Sequence, residues 1–170
     1  MNEPEMFENP KLITLDEAVS ERETLRNDCG KLVFTNGCFD LLHCGHVYFL
    51  EQAAKLGNAL WVALNSDESI KALKGPGRPI HGEKERAYVM AALQCVDRII
   101  IFRTPRLVKE IEALKPDIYV KAGDYNMDSI NPEEKEALLK CGARIEFMPF
   151  IPGQSTTELL QRITHASEAP

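Results

Sequence analysis

The sequence predicts an α/β fold, a five-stranded parallel sheet with helices on both faces. Three observations carry this expectation. Five short apolar runs are rich in β-branched or aromatic residues, segments of helical period lie between them, and caps or helix breakers mark the junctions. Strands that alternate with helices pair in parallel and must be covered on both sides.

Thr14-Leu15-Asp16-Glu17 reads as a capping box, in which the threonine oxygen accepts from a first-turn N–H and the glutamate reaches back. It opens a helix to about Cys29 that Gly30 ends, and Ile13 and Ala18 add a weak hydrophobic staple. Strands are expected at about 31–36, 59–65, 98–102, 117–121 and 144–149. Helices are expected at about 45–56, stopped by Gly57, then at 67–73, 83–95, 105–114, 132–141 and 155–165. Thr104-Pro105 and Asn131-Pro132 both read as an N-cap followed by proline at the first helical position. Residues 1–11 are expected to form a flexible arm, 12–165 a single domain and 166–170 a frayed tail. The arrangement is Rossmann-like. A ligand should then lie outside the carboxyl ends of the strands, where the strand order reverses.

Composition narrows the function. At 170 residues, with 44% hydrophobic and 27% charged content, the chain has the makeup of a soluble globular domain. A formal net charge of -6 argues against nonspecific nucleic-acid binding. No apolar run reaches about 18 residues, so no membrane span is expected. The acidic start Met1-Asn2-Glu3-Pro4-Glu5-Met6 has no apolar core and is not a secretory signal. Five scattered cysteines fit reduced thiols in the cytoplasm. Cys38, His43, Cys44 and His46 do not have the paired, loop-separated spacing of a zinc site, because His43 and Cys44 are adjacent. No metal ligands are assigned.

The segment Thr35-Asn36-Gly37-Cys38-Phe39-Asp40-Leu41-Leu42-His43-Cys44-Gly45-His46 is the most informative in the chain. It joins a buried strand to a helix start, where free N–H groups and the helix dipole make an anion site. Gly45 permits close backbone approach, and His43 and His46 add side-chain donors. Such donors suit a polyphosphate and the charge that develops when one of its bonds breaks. Asn36-Gly37, Asn65-Ser66-Asp67, Lys121-Ala122-Gly123-Asp124 and Gly153-Gln154-Ser155 follow four of the expected strands, so four loops converge on one edge. Lys71, Lys74 and Arg78 lie in a glycine- and proline-bearing loop that is either a solvated linker or a phosphate clamp. Arg86, near Glu83 and Glu85, either reaches the site or pairs at the surface. Ser155-Thr156-Thr157-Glu158 is a capping box by spacing, and helix-start hydroxyls also bind phosphate. Neither a P-loop nor a Gly-x-Gly-x-x-Gly fingerprint is present.

The run Gly-x-Phe-Asp-x-x-His-x-Gly-His, from Gly37 to His46, resembles the signature of the cytidylyltransferase-like nucleotidyltransferases. TNGCFDLLHCGH, LNSDESIKALKGPGRPI, KAGDY and GQSTT resemble, in order and spacing, the adenylyltransferases that activate heptose 1-phosphate for lipopolysaccharide synthesis. The resemblance spans about residues 31–163 and implies transfer of AMP from ATP to D-glycero-β-D-manno-heptose 1-phosphate, with Mg²⁺ carried on the ATP. It implies catalytic roles for His43, His46 and Lys74. Nucleotide contacts are implied for Asn36, Gly37, Cys38, Phe39, Gly45, Lys121, Gly123, Asp124, Ser155, Thr156 and Thr157. Acceptor contacts are implied for Asp40, Asn65, Lys74, Arg78 and Arg86. It also implies that a separate heptose kinase supplies the acceptor, and a homodimer is among the assemblies the sequence allows. Ala122 stands where close relatives carry a second glycine, which fits if the backbone there needs no positive φ. The alternative is a cytidylyltransferase for glycerol 3-phosphate or a similar small phosphorylated alcohol. Such enzymes place an arginine five residues before the serine, where this chain has Phe150.

Overall fold

The structure, a computed structural model, describes residues 7–123, 125–149 and 156–168, apart from the side chains of Thr157, Ile163 and residues 166–168. Five strands form one sheet: β1 (Leu32–Gly37), β2 (Ala59–Asn65), β3 (Arg98–Phe102), β4 (Ile118–Ala122) and β5 (Arg144–Met148). All neighbours pair in parallel in the order β3-β2-β1-β4-β5, so the winding reverses between β1 and β4. The helices are α1 (Leu15–Asn27), α2 (Cys44–Ala54), α3 (Asp67–Lys74), α4 (Glu83–Ala91), α5 (Val108–Leu114), α6 (Pro132–Lys140) and α7 (Thr156–Glu168).

Successive strand residues point to opposite faces, and both faces are apolar. Leu32, Phe34, Trp61, Ala63, Ile100 and Phe102 pack with Ala18 of α1, Ile111 of α5 and Leu138 of α6. Val33, Leu60, Val62, Leu64, Ile99 and Val120 pack with Phe49 and Leu50 of α2 and Met90 of α4. The Rossmann-like expectation therefore holds for the five-stranded parallel sheet and for both helix layers.

Local chemistry explains the boundaries. Thr14 and Glu17 form the expected capping box, and the Asn131 side chain accepts from the N–H groups of Glu133 and Glu134 with Pro132 at the first position. Three boundaries are corrected. The left-handed residue closing α1 is Cys29, at φ 56, and Gly30 instead donates its N–H to Leu25 at 2.8 Å. Helix α4 ends at Ala91, where tight turns from Leu93 to Met90 and from Val96 to Leu93 lead the chain back toward β3. Thr104-Pro105 is not the start of α5. The Thr104 hydroxyl donates to the Arg106 carbonyl at 2.6 Å, which closes a turn and delays the helix to Val108.

Within the segment expected as a loose arm, residues 7–11 make specific contacts. The Lys11 amine donates to the Leu93 carbonyl at 2.9 Å, the Ile99 N–H donates to the Lys11 carbonyl at 2.7 Å, and the Phe7 ring meets Tyr88 edge-on. At the other end α7 runs on through residues 166–168.

Candidate active site

The reversal between β1 and β4 opens a cavity of about 720 Å³ at the carboxyl edge of the sheet. Asn36, Gly37, Cys38, Phe39 and Asp40 line it from the end of β1, Asn65 from β2, Lys121 from β4, and His46, Lys74 and Thr156 from helices. Ten of the expected residues thus share one cavity.

The two histidines take different positions. His43 is the N-cap of α2 in extended conformation, and its side chain makes no cap bond. No acidic residue occupies the first turn, so nothing in that turn competes for an incoming anion. The His43 and His46 rings lie 3.8 Å apart at 30°, and Phe39 backs His46 at 5.1 Å. His46 lines the cavity, while His43 stacks against it. Each has a buried Nδ1 with no partner among the described residues. Burial, then the neighbouring His43 and Lys74, push the His46 pKa down to about 4. Burial, then Arg162, also lowers that of His43. At neutral pH both imidazoles are therefore uncharged.

Across the reversal, Asn36 joins the two halves of the sheet. Its Oδ1 accepts from the Tyr119 hydroxyl and the Lys121 amine, both at 2.6 Å. Burial lowers the Lys121 pKa, against an opposing pull from Glu134. The Tyr119–Asn36 link was not expected from the sequence. Tyr119 sits inside an apolar strand, and only pairing across the switch point reveals its hydroxyl as polar support.

Two glycines are dictated by geometry. A Cβ on Gly37 would lie 2.8 Å from the Phe39 ring, which itself sits at φ 44. Gly123, at φ 99, donates to the Met148 carbonyl at 2.8 Å and ends β4 in a conformation that strains other residues. The positive φ falls on Gly123, so Ala122 is an ordinary strand residue paired with Met148. Gly45 is buried in the first turn of α2. Asp124 and Ser155 lie outside the described residues, as does the side chain of Thr157.

Four residues expected to contact the acceptor, Asp40, Asn65, Arg78 and Arg86, are also bonded within the chain. Asp40 is nearly fully buried and accepts from Arg78 Nη1 at 2.7 Å and from the N–H groups of Ile80 and His81 at 2.7 and 3.2 Å. Burial alone would raise its pKa, but these bonds prevail and hold it below the usual range. Arg86, 3% exposed, donates to the carbonyls of His81, Cys38 and Asn65 and to Asp67 Oδ1. It is neither in the cavity nor at the surface but ties the ends of β1 and β2 to α3. Charge alternation in Glu83–Arg86 cannot signal this, because the partners are backbone carbonyls. Asn65 is engaged as well, donating to Ser69 Oγ at 3.0 Å, and its Oδ1 lies 3.8 Å from Cys38 Sγ. Burial raises the Cys38 thiol, against the pull of Lys74 and Arg86.

The basic loop splits in two. Arg78, Ile80 and His81 are anchored on Asp40, whereas Gly75 and Gly77 sit at φ 86 and 89 beside Lys74. Lys74→Ala is expected to lower kcat by about tenfold or more while changing ATP affinity less, because its partner charge is greatest with both substrates present. Turnover compared with calorimetric ATP binding checks this. Hydrogen exchange on binding should slow at 75–77, and the Ile80 and His81 amides should be protected already in the free protein.

A family profile described as cytidylyltransferase-like matches residues 34–162. The bifunctional protein HldE of Syntrophotalea carbinolica is 44% identical over 155 residues, covering 87% of this chain and 31% of that protein. That of Helicobacter pylori (strain Shi470) is 46% identical over 157 residues, covering 91% and 32%. The chain thus spans about a third of the length of these relatives. The crystal structure of the lipopolysaccharide core biosynthesis protein from Thermoplasma volcanium GSS1 superposes with a TM-score of 0.58 at 28% identity, covering 72% of this chain and 97% of that one. With its histidine pair at the mouth of α2 and its match across most of the chain, the protein belongs to the cytidylyltransferase-like family of nucleotidyltransferases.

Proposed function

We propose that the protein transfers AMP from ATP to D-glycero-β-D-manno-heptose 1-phosphate, releasing pyrophosphate and forming ADP-heptose. The observation that carries the chemistry is the pair of stacked imidazoles at the start of α2, of which His46 lines a cavity shared with Lys74 and Lys121. The choice of substrate rests on the likeness to the HldE proteins.

A phosphate oxygen of the acceptor attacks the α-phosphorus of ATP. The new P–O bond forms as the bond to the β-phosphate breaks, and the electron pair leaves with pyrophosphate. The acceptor is already an anion, so no side-chain nucleophile is required. The protein positions the two substrates and stabilises the charge that builds on the α-phosphate. The triphosphate also restores proton affinity to both rings, because an adjacent anion favours the charged form. Among the described residues no group of three metal-ligating side chains comes together. Asp40 is occupied by Arg78 and Glu134 by the Leu107 N–H. Magnesium fits as a passenger on the triphosphate, since Mg²⁺ keeps several waters and needs few protein ligands.

The setting is the cytoplasm, with a sugar kinase supplying the acceptor. No helix among the described residues is long and apolar enough to cross a membrane. Pyrophosphate release measured across the nucleoside triphosphates, with heptose 1-phosphate and glycerol 3-phosphate, is the test. The expected result is turnover with ATP and heptose 1-phosphate, with ATP raising the Tm more than CTP at equal concentration. Turnover with CTP and glycerol 3-phosphate in its place would overturn the assignment.

A further inference from the structure

The delayed start of α5 has placed a cation where the sequence predicts the first turn of a helix. Residues 103–107 form a turn between β3 and α5, and Phe102, Pro105 and Arg106 line the cavity from it. The backbone is fixed on both sides of Arg106. The Thr104 hydroxyl donates to the Arg106 carbonyl at 2.6 Å, and the N–H of fully buried Leu107 donates to Glu134 Oε1 at 3.0 Å. The guanidinium itself is hardly held: Nη1 reaches only the neighbouring Pro105 carbonyl at 3.5 Å. Among the described residues it forms no ion pair, although the chain has 26 acidic residues against 20 basic ones. Arg103, three residues earlier, is by contrast paired with Glu83 at 2.6 Å.

The facing wall is the loop between β4 and α6, which contributes Tyr125, Asp128 and Ser129. Asn126 shapes this loop, its Oδ1 accepting from the N–H groups of Asp128 and Ser129 at 2.8 and 3.0 Å. Tyr125, Asp128 and Arg106 thus line one cavity from these two loops, with the Ser129 hydroxyl accepting from the Asn126 N–H at 2.8 Å and the Tyr125 ring 5.2 Å from the Lys121 amine. That mixture suits a polyhydroxylated ring, with C–H faces for the aromatic and hydroxyls for donors and acceptors. The triphosphate has its own donors at α2, Lys74 and Lys121, on the elements that meet at the β1–β4 reversal.

We propose that Arg106 is a specificity-determining residue for the acceptor, its guanidinium donating to sugar hydroxyls held between the β3–α5 turn and the β4–α6 loop. The inference rests on the reading of the protein as a sugar-phosphate nucleotidyltransferase. The test uses the full chain and its Arg106→Ala and Arg106→Lys variants, with pyrophosphate release measured while heptose 1-phosphate or ATP is varied at saturating levels of the other. Arg106→Ala should raise the acceptor KM by about tenfold or more, the factor that loss of charge-assisted hydrogen bonds brings. The ATP KM and kcat should stay within about twofold, and lysine should restore only part of the loss, because an ammonium cannot reproduce the planar fork. An acceptor KM within twofold of wild type, or an equal rise in the ATP KM, overturns the proposal. If the wild-type protein turns over a different acceptor, the heptose assignment fails by itself. The same two KM values, measured on that acceptor, then decide the role of Arg106.

Discussion

His46→Ala is expected to lower kcat by about 100- to 1000-fold, the usual cost of removing one preorganised donor from a site where anionic charge develops. His46 earns the larger effect over His43 because it lines the cavity, whereas His43 stacks against it. Stopped-time pyrophosphate release at saturating ATP and acceptor measures the loss, and full turnover in the variant would remove His46 from the mechanism. The same ring leaves a second signature. Its folded pKa of about 4 lies below the ordinary 6.5, so between these values the unfolded chain binds more protons than the folded one. Stability contributed by keeping the ring neutral is complete above pH 6.5 and is lost as pH falls toward 4. His43 is shifted in the same direction. Thermal unfolding of His46→Ala should therefore show a smaller drop in Tm between pH 7 and pH 5 than wild type does.

Arg86→Ala is expected to be the most damaging substitution to the fold around the site. Its guanidinium is almost fully buried and donates to three carbonyls and one carboxylate. Removal strands those acceptors and leaves Asp67 without its partner, at a cost of about 3–5 kcal/mol. For a domain of this size that corresponds to a Tm lower by roughly 6–20 °C. Two of the carbonyls belong to Cys38 and Asn65, at the ends of β1 and β2, so activity should fall as well: small misplacements of positioning groups cost on the order of 100-fold. Arg86→Lys should recover little of either, because one ammonium cannot span four acceptors. Calorimetry and turnover together check this, and an unchanged Tm in Arg86→Ala would refute the structural role assigned to it.

The parallel sheet and both helix layers were legible because they follow from periodicity, and the candidate site was locatable because its histidines, glycines and helix start are adjacent in the chain. Roles that depend on distant partners were not. Asp40 and Arg78 are paired across 38 residues, a contact that no local pattern signals. Arg86, which by sequence either reaches the site or pairs at the surface, is buried against backbone oxygens from three segments. The Tyr119 hydroxyl meets Asn36 only because β4 lies beside β1. Thr104-Pro105 carries a helix-start signal, but the threonine hydroxyl found a nearer acceptor in the Arg106 carbonyl, and that local competition moved α5.

The junction of β1 and β4 has a mechanical consequence. Those strands share only the pairs Val33–Ile118 and Phe34–Tyr119, whereas β1 and β2 stay in register over all six residues of β1. Beyond Phe34 the junction is held by side chains: the Thr35 hydroxyl donates to the Val120 carbonyl at 2.8 Å, and Asn36 accepts from Tyr119 and Lys121. The sheet is thus two leaves, β3-β2-β1 and β4-β5, on a short spine, and the cavity lies where the leaves part. In the function proposed above, a nucleotide touching both leaves would complete the spine as a strut. Part of its binding free energy would then become resistance to unzipping along that line, with the stiffening greatest at the seam where the free protein is thinnest.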